Sequence, residues 1–249
     1  MLAIIGGSGL AQLAGLEVTR RQIVRTPYGE PSGPITFGML GGAEVAFLAR
    51  HGYGHTLAPH EINYRANLWA LREKGATRIV AVCTVGGIAP EFAAGALAVP
   101  DQLIDYTWGR KATYFEGAGQ PVVHVDFTHP YCGETRRMIA GSAARAGVAV
   151  IARGTYAAVQ GPRLESAAEI DRLERDGAHL VGMTGMPEAA LARELELPYA
   201  ALAVVANPAA GRGTSAEAVS LEEISSVLRE AMQRVRLVVA NVAGQHGHP

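Results

Sequence analysis

Five polar residues of this chain have the chemistry needed to hold a phosphate ion. Ser8, in Gly6-Gly7-Ser8-Gly9, can offer a hydroxyl and neighbouring backbone N–H groups, as glycine-rich loops after strands do. Arg50 and His51 are adjacent and supply a permanent cation and a further donor. Thr84 and Thr184 add two short hydroxyls. Taken singly, each has an ordinary alternative, such as a glycine turn for Ser8 or a solvated loop for the Arg50-His51 pair.

The elements that must position these residues alternate between strands and helices. Apolar runs predict strands at residues 2–5, 44–49, 78–83, 148–153, 155–160 and 199–206. Helical spacing predicts helices around 62–74, 134–146, 166–176 and 188–195, and a last helix that starts at a Ser220/Glu223 capping box and runs to Val242. We therefore expect an α/β fold with a central mixed sheet flanked by helices. The phosphate-suited residues then follow strands, where open α/β sheets bind their ligands.

Composition narrows the class of protein. A chain of 249 residues that is 49% apolar and 18% charged can bury one substantial core, so we expect one domain over residues 1–249 with a flexible tail at 245–249. The net charge of −1 favours a small-molecule partner over nucleic acid or a membrane. Without a recognisable leader or an apolar run long enough to span a membrane, and with only Cys83 and Cys132, we expect a cytoplasmic protein.

Longer motifs give the chain a recognisable family. It resembles the trimeric purine nucleoside phosphorylase and methylthioadenosine phosphorylase family over nearly its whole length. The motifs that carry the resemblance are Gly6-Gly7-Ser8-Gly9, Leu48-Ala49-Arg50-His51-Gly52, Asn63-Tyr64-Arg65-Ala66-Asn67-Leu68-Trp69-Ala70-Leu71, Gln160-Gly161-Pro162-Arg163 and Gly182-Met183-Thr184-Gly185-Met186-Pro187-Glu188.

The resemblance implies a nucleoside phosphorylase fold, a homotrimer and a set of site residues. Phosphate binding falls to the five residues named above, with His51 and Asn207 as catalytic residues. Met183 matches the methionine that packs against the ribose, and His124 the histidine that reaches a neighbouring subunit's 5′ pocket. The remaining substrate-binding positions implied are Val85, Gly86, Leu164, Glu165, Leu221 and Ile224.

The purine pocket departs from the adenosine-specific branch of that family. Asn207 replaces an acid and Glu165 replaces a serine. A 6-oxopurine presents N1–H as a donor and O6 as an acceptor, so Glu165 can accept from N1–H while Asn207 donates to O6 and interacts with N7. The plainer alternatives are that Glu165 caps a helix and Asn207 ends a strand. The family context favours recognition of a 6-oxopurine.

The 5′ end of the pocket departs from ordinary inosine and guanosine phosphorylases. Leu221 and Ile224 lie at helical spacing where those enzymes place a polar histidine, although the same spacing also suits core packing. An apolar wall favours a methylthio group over a hydroxyl. We therefore expect phosphate-dependent cleavage of S-methyl-5′-thioinosine to hypoxanthine and 5-methylthioribose 1-phosphate, with no metal or organic cofactor. The alternatives are a general inosine/guanosine phosphorylase, a methylthioadenosine phosphorylase and a non-catalytic purine-binding module.

Overall fold

A computed structural model describes residues 1–247 and contains a mixed ten-stranded sheet within them. Its central strands are continuous apolar runs, as expected for strands that are covered on both faces. The pairing order is β2-β3-β4-β1-β5-β9-β8-β7, and β10 pairs with both β5 and β6. The strands are β1 Leu2–Gly6, β2 Glu17–Gln22, β3 Ile35–Leu40, β4 Ala43–Ala49, β5 Arg78–Gly87, β6 Leu97–Ala98, β7 Gln102–Asp105, β8 Thr155–Ala158, β9 Leu180–Gly182 and β10 Tyr199–Pro208.

Helices cover both faces of this sheet, so the predicted fold class is confirmed. The helices are α1 Tyr64–Glu73, α2 Gly133–Arg145, α3 Ala167–Arg175, α4 Gly185–Glu194 and α5 Leu221–Gly247. Alternate residues of β1 belong to different cores: Ala3 and Ile5 pack on the side of α1 and α4, and Leu2 and Ile4 on the side of α2 and α5.

Side-chain caps start the helices that border the site. The hydroxyl of Ser166 accepts from the N–H of Glu169, whose carboxylate accepts from the N–H of Ser166, so α3 begins with a complete capping box. Before α5, the Ser220 hydroxyl accepts from the N–H of Glu223 at 3.2 Å, as predicted. The plainer alternative for Glu165 is therefore excluded, because Ser166 is the residue that caps α3.

Parallel pairing brings the carboxyl ends of four strands to one edge of the sheet. Gly6 of β1 is opposite Ala49 of β4, and Asn207 of β10 is opposite Gly86 of β5. The register shifts between Val205 and Asn207, and such a bulge re-aims the side chain that follows it. The loops after β1 and β4 and the ends of β5 and β10 therefore meet at this edge.

One predicted strand ends too early, and another does not form. Thr84 lies inside β5 instead of after it, because β5 continues to Gly87 by pairing with β10 and then with β9. Residues 148–153 form no strand, and only Ile151 bridges to Ala98. The partner β6 is two residues long, and Pro100 shortly after it has no N–H to continue a ladder.

Helix α5 extends into the segment predicted as a tail. Gln245, His246 and Gly247 continue α5, where Arg145 donates to Oε1 of Gln245 at 2.6 Å and Thr77 Oγ1 lies 3.2 Å from His246 Nε2. The flexibility of residues 245–249 stays a prediction, and residues 248 and 249 lie outside the described chain. None of the helices within residues 1–247 is both long and apolar enough to cross a membrane.

Candidate active site

A cavity of about 520 Å³ opens at the edge where the parallel strands end. That volume is within the usual range for small-molecule sites. The structure brings together in its wall every site residue predicted from the sequence except His124, which is exposed on the long connection between β7 and α2. The predicted residues in the wall are Ser8, Arg50, His51, Thr84, Val85, Gly86, Leu164, Glu165, Met183, Thr184, Asn207, Leu221 and Ile224.

The loop Gly6-Gly7-Ser8-Gly9 lies directly against the strands at the end of the cavity that carries Ser8, Arg50, His51 and Thr84, which we call the phosphate-suited end. A Cβ on Gly7 would be 2.6 Å from the Val82 carbonyl oxygen and 2.8 Å from Nη1 of Arg50, so only glycine fits at this position. Thr84 donates its hydroxyl to the Ser8 carbonyl at 3.0 Å. This bond fixes the loop on β5 and leaves the Thr84 oxygen available mainly as an acceptor.

Arg50 is completely buried, and its guanidinium fork is paired with a carboxylate. Nε and Nη2 donate to the two oxygens of Glu188 at 2.7 and 2.8 Å, and Nη1 donates to the Val82 carbonyl at 2.9 Å. Glu188 also accepts from the Tyr199 hydroxyl at 2.9 Å. Since a guanidinium has five N–H groups, an Nη1 hydrogen remains for a ligand in the cavity.

Burial and pairing act in opposite directions on the charge of Arg50. Desolvation by itself would lower the pKa of Arg50, but the neighbouring Glu188 carboxylate outweighs it and raises that pKa well above its ordinary value. The cavity wall therefore contains a permanent cation whose position is fixed by a buried bidentate ion pair.

His51 is a neutral base at this end of the cavity. Its Nδ1 lies 2.9 Å from the Leu57 carbonyl, a geometry in which Nδ1 is the donor and Nε2 is left unprotonated. Burial lowers the pKa of His51 to about 4, although the Leu57 bond opposes the shift; Arg50 and His55 add to the lowering. At neutral pH the imidazole can therefore accept a hydrogen bond from a protonated ligand oxygen.

Met183 and Thr184 follow β9 and line the part of the cavity wall that we call the floor. Thr184 is the residue before α4, and its backbone N–H donates to the Tyr156 hydroxyl at 3.4 Å. Gly161 has a φ of 60°, and a Cβ there would collide with Sδ of Met183. The Gln160-Gly161-Pro162-Arg163 motif is thus packed directly on the methionine that sequence reasoning assigned to ribose contact.

Glu165 and Asn207 also line the cavity, and we call the part of the wall that they form the purine-suited end. Within residues 1–247 no other residue donates a hydrogen bond to the Glu165 carboxylate, and desolvation raises its pKa. Asn207 donates from Nδ2 to the Pro208 carbonyl at 2.6 Å, so its second amide hydrogen and its oxygen remain for a ligand. A carboxylate acceptor and an amide therefore face the same cavity.

The third part of the wall is apolar and partly open. Leu221 and Ile224 lie in the first turn of α5, and Leu228 lies one turn further along. Leu221 is 71% exposed and Leu164 42% exposed in the single chain. Among residues 1–247, those that α5 contributes to the wall are all apolar, and this side of the cavity is incompletely covered in the single chain.

Sequence reasoning missed several residues that build the site. Glu188 was part of a recognised motif but received no role, although its position in Pro187-Glu188 at the start of a helix was visible. His55, the 57–59 segment, Pro162, Ala209 and Ala210 also line the cavity. They lie in loops, where no periodic pattern indicates which way a side chain points.

Comparison with known proteins identifies the class. Residues 1–243 match the family described as the phosphorylase superfamily, and this chain belongs to that family. The family predicted from the motifs is therefore confirmed.

Particular relatives are closer still. The chain is 58% identical over 226 residues to a probable S-methyl-5′-thioinosine phosphorylase of Xanthomonas campestris, covering 91% of this chain and 90% of the relative. It is 45% identical over 247 residues to a 6-oxopurine nucleoside phosphorylase of Pyrococcus furiosus, with coverage of 97% and 91%. The structure of methylthioadenosine phosphorylase from Schistosoma mansoni in complex with adenine matches with a TM-score of 0.95 at 30% identity, covering 100% of this chain and 92% of that one.

Proposed function

We propose that this protein cleaves S-methyl-5′-thioinosine with inorganic phosphate, releasing hypoxanthine and 5-methylthioribose 1-phosphate. The observation that carries the proposal is the Glu165 carboxylate, which lines the cavity without a hydrogen-bond donor from any other residue of the described chain. Hypoxanthine supplies that donor as N1–H, whereas adenine presents a second acceptor there. The names of the relatives from Xanthomonas campestris and Pseudomonas syringae, the latter 53% identical over 240 residues, agree with this substrate.

In the proposed reaction a phosphate oxygen attacks the anomeric carbon while the bond from that carbon to N9 of the purine breaks. Ser8, Arg50 and Thr184 donate to the phosphate, Thr84 holds the Ser8 loop against β5, and the unprotonated Nε2 of His51 accepts from the P–OH group of the phosphate. The electron pair of the broken bond moves into the purine, where Asn207 stabilises the negative charge by donating its remaining amide hydrogen to O6, and the purine takes up a proton to leave as neutral hypoxanthine. Positioning and electrostatics supply the catalysis, and no metal ion or organic cofactor takes part.

The apolar end of the cavity supports the methylthio group as the 5′ substituent. Burial of a methylthio group against Leu221 and Ile224 is favourable, whereas a 5′-hydroxyl there lacks a partner. Both residues belong to the first turn of α5, and Leu221 remains largely exposed in the single chain. Completion of this wall by His124 of a neighbouring copy in a homotrimer is part of the proposal. So is a cytoplasmic location for this purine-salvage enzyme, with one catalytic domain over the chain.

The substrate assignment is tested with four proteins: wild type, Asn207→Asp, Glu165→Ser and the double variant. An aspartate accepts from the 6-amino group of adenine and repels O6 of hypoxanthine, so Asn207→Asp should shift preference towards methylthioadenosine. Removal of the Glu165 carboxylate should shift it further, since adenine N1 then faces no obligatory acceptor. Each base-edge contact is worth about 1 to 3 kcal/mol, which corresponds to about 5- to 150-fold per residue.

The measurement is the ratio of kcat/KM for methylthioadenosine over methylthioinosine at saturating phosphate, with inosine as a third substrate. A ratio that stays flat across the four folded proteins would show that neither residue contacts the purine edge. A wild type that prefers inosine over methylthioinosine would instead assign a general 6-oxopurine phosphorylase. Purine binding without phosphate-dependent release of base would identify a binding module.

A further inference from the structure

A single guanidinium behind the cavity wall holds the segments that line it. Arg110 lies in the connection between β7 and α2, outside the cavity itself. Within residues 1–247, its side chain donates to five oxygens of other segments, four of which are backbone carbonyls. Nη1 donates to the carbonyls of Met183 at 2.8 Å and Met186 at 2.6 Å, and Nη2 donates to those of Gln160 at 2.8 Å and Val159 at 3.3 Å.

Those carbonyls belong to two segments that contribute residues to the cavity wall. Met183 and Thr184 form its floor beside the phosphate-suited residues. Gln160 leads into the segment that carries Leu164 and Glu165 at the purine-suited end. One planar fork with fixed donor directions therefore sets the spacing between these two segments.

A third segment of the wall is joined through Tyr64. Nη1 of Arg110 lies 3.4 Å from the Tyr64 hydroxyl, which donates to the Pro59 carbonyl at 2.9 Å. Pro59 lines the cavity, and the same loop supplies the Leu57 carbonyl that holds the His51 ring. The link from Arg110 thus extends to the loop that orients the neutral imidazole.

The charge of Arg110 is satisfied differently from that of Arg50. In the part of the chain that the structure describes, no carboxylate forms an ion pair with Arg110, and its Nε is buried without a hydrogen-bond partner. Arg110 is thus a half-buried cation that is held by carbonyl dipoles and has one unpaired donor, whereas buried polar groups are normally hydrogen-bonded and buried charges are normally paired. Such departures are expected where a residue serves a site more than it serves stability.

We propose that Arg110 is a positioning residue for the phosphorolysis described above, and the proposal rests on that function. It touches no substrate. It fixes the distance between the Thr184 floor, the Glu165 segment and the Pro59 loop, so that phosphate and purine are held at the separation the reaction needs. Misplacement of reacting groups by about 1 Å is enough to reduce a rate about 100-fold.

The test is Arg110→Lys with Arg136→Lys as its matched control. Lysine keeps the charge but cannot hold both segments with a planar fork. Arg136 also donates to backbone carbonyls, those of Pro100 at 2.9 Å and Ala152 at 2.8 Å, and neither belongs to the cavity wall. The kcat and the KM for phosphate and for methylthioinosine are measured well below the thermal midpoint of each protein.

Arg110→Lys should lose about 10- to 100-fold in kcat/KM, with the KM values for both substrates raised. Arg136→Lys, whatever its loss of stability, should keep wild-type KM values, because a purely structural role lowers the amount of folded enzyme and not its affinity. Wild-type KM values and kcat in folded Arg110→Lys would overturn the proposal. An inactive wild type would refute the proposed function instead.

Tyr64→Phe keeps the test decisive if Arg110→Lys does not fold. The substitution preserves the ring and removes only the hydroxyl between Arg110 and Pro59. A rise of about 3- to 10-fold in the KM for phosphate, measured well below the thermal midpoint of the variant, supports the link; this range corresponds to the free energy of a single neutral hydrogen bond. Unchanged kinetics in folded Tyr64→Phe would contradict it.

Discussion

Replacing Arg50 with methionine should remove about 3 to 5 kcal/mol from the free energy of unfolding, because it leaves the Glu188 carboxylate buried without its counter-charge. Both side chains are almost completely desolvated, with 0% and 1% of their side-chain surfaces exposed. Glu188 would keep only the Tyr199 hydroxyl as a donor. Glu188→Leu should be destabilising by a similar amount, since it leaves the buried Arg50 guanidinium without its counter-charge and with the Val82 carbonyl as its remaining oxygen acceptor.

The double variant Arg50→Met/Glu188→Leu removes both charges and should be far more stable than the sum of the single losses implies. Replacement of a whole buried pair by apolar residues is often neutral or stabilising, so we expect the double variant within about 2 kcal/mol of wild type. The coupling energy would then exceed about 3 kcal/mol. Urea unfolding of the four proteins at one protein concentration measures it, and additive losses would refute the pairing.

The double variant also separates stability from phosphate binding. If Arg50 contacts phosphate, a folded protein without it should show a KM for phosphate raised about 10- to 100-fold, the value of a hydrogen bond to a charged group. Binding of hypoxanthine should be retained, because Glu165 and Asn207 are untouched. An unchanged phosphate KM in the folded double variant would remove Arg50 from the phosphate site.

Two further predictions concern the same end of the cavity. Since the pKa of His51 is lowered to about 4 while an unfolded histidine titrates near 6.5, the unfolded state binds more protons between these values. The free energy of unfolding should therefore fall as pH drops through this window, by at most about 1.4 kcal/mol per pH unit for this group. Urea unfolding at pH 7 and pH 5 should show a smaller loss of this free energy for His51→Gln than for wild type. Equal losses would contradict a buried neutral His51. Gly7→Ala should raise the phosphate KM and lower the thermal midpoint, because the new methyl group collides with Val82 and Arg50. Gly141→Ala, inside α2 with its nearest neighbour at 3.6 Å, is the control and should be neutral or stabilising; equal behaviour of both variants would contradict the close-approach argument.

The buried strands were predictable from the sequence because strands that are covered on both faces consist almost entirely of apolar residues. Residues 2–5 and 199–206 are almost entirely apolar, and both are strands in the structure. The β2 strand was not predictable in this way. Its sequence Glu-Val-Thr-Arg-Arg-Gln is exposed along its whole length and carries no apolar periodicity, so only its pairing with β3 makes it a strand.

The gathering of the predicted residues in one cavity follows from the same logic. Arg50 directly follows β4 and Ser8 lies two residues after β1, and the carboxyl ends of these parallel neighbours must meet at one edge of the sheet. Thr84 reaches that edge although its strand boundary was predicted wrongly, because β5 passes through it. The assignment of a residue to an edge is therefore more robust than the assignment of the last residue of a strand.

The partners of the arginines lie beyond what the sequence could show, and they determine what the site can do. Glu188 is 138 residues from Arg50, and Met186 is 76 residues from Arg110. Contacts between residues so far apart in the chain produce no periodic pattern in the sequence. A backbone carbonyl cannot be recognised as a partner from the sequence at all, since every residue has one. The two arginines nevertheless separate by environment: one is neutralised by a buried carboxylate and presents a donor to the cavity, while the other is held by carbonyl dipoles behind the wall. Lysine, which preserves the charge, should therefore not be tolerated at either position. The site depends on the bidentate geometry of Arg50 and on the span of the planar fork of Arg110.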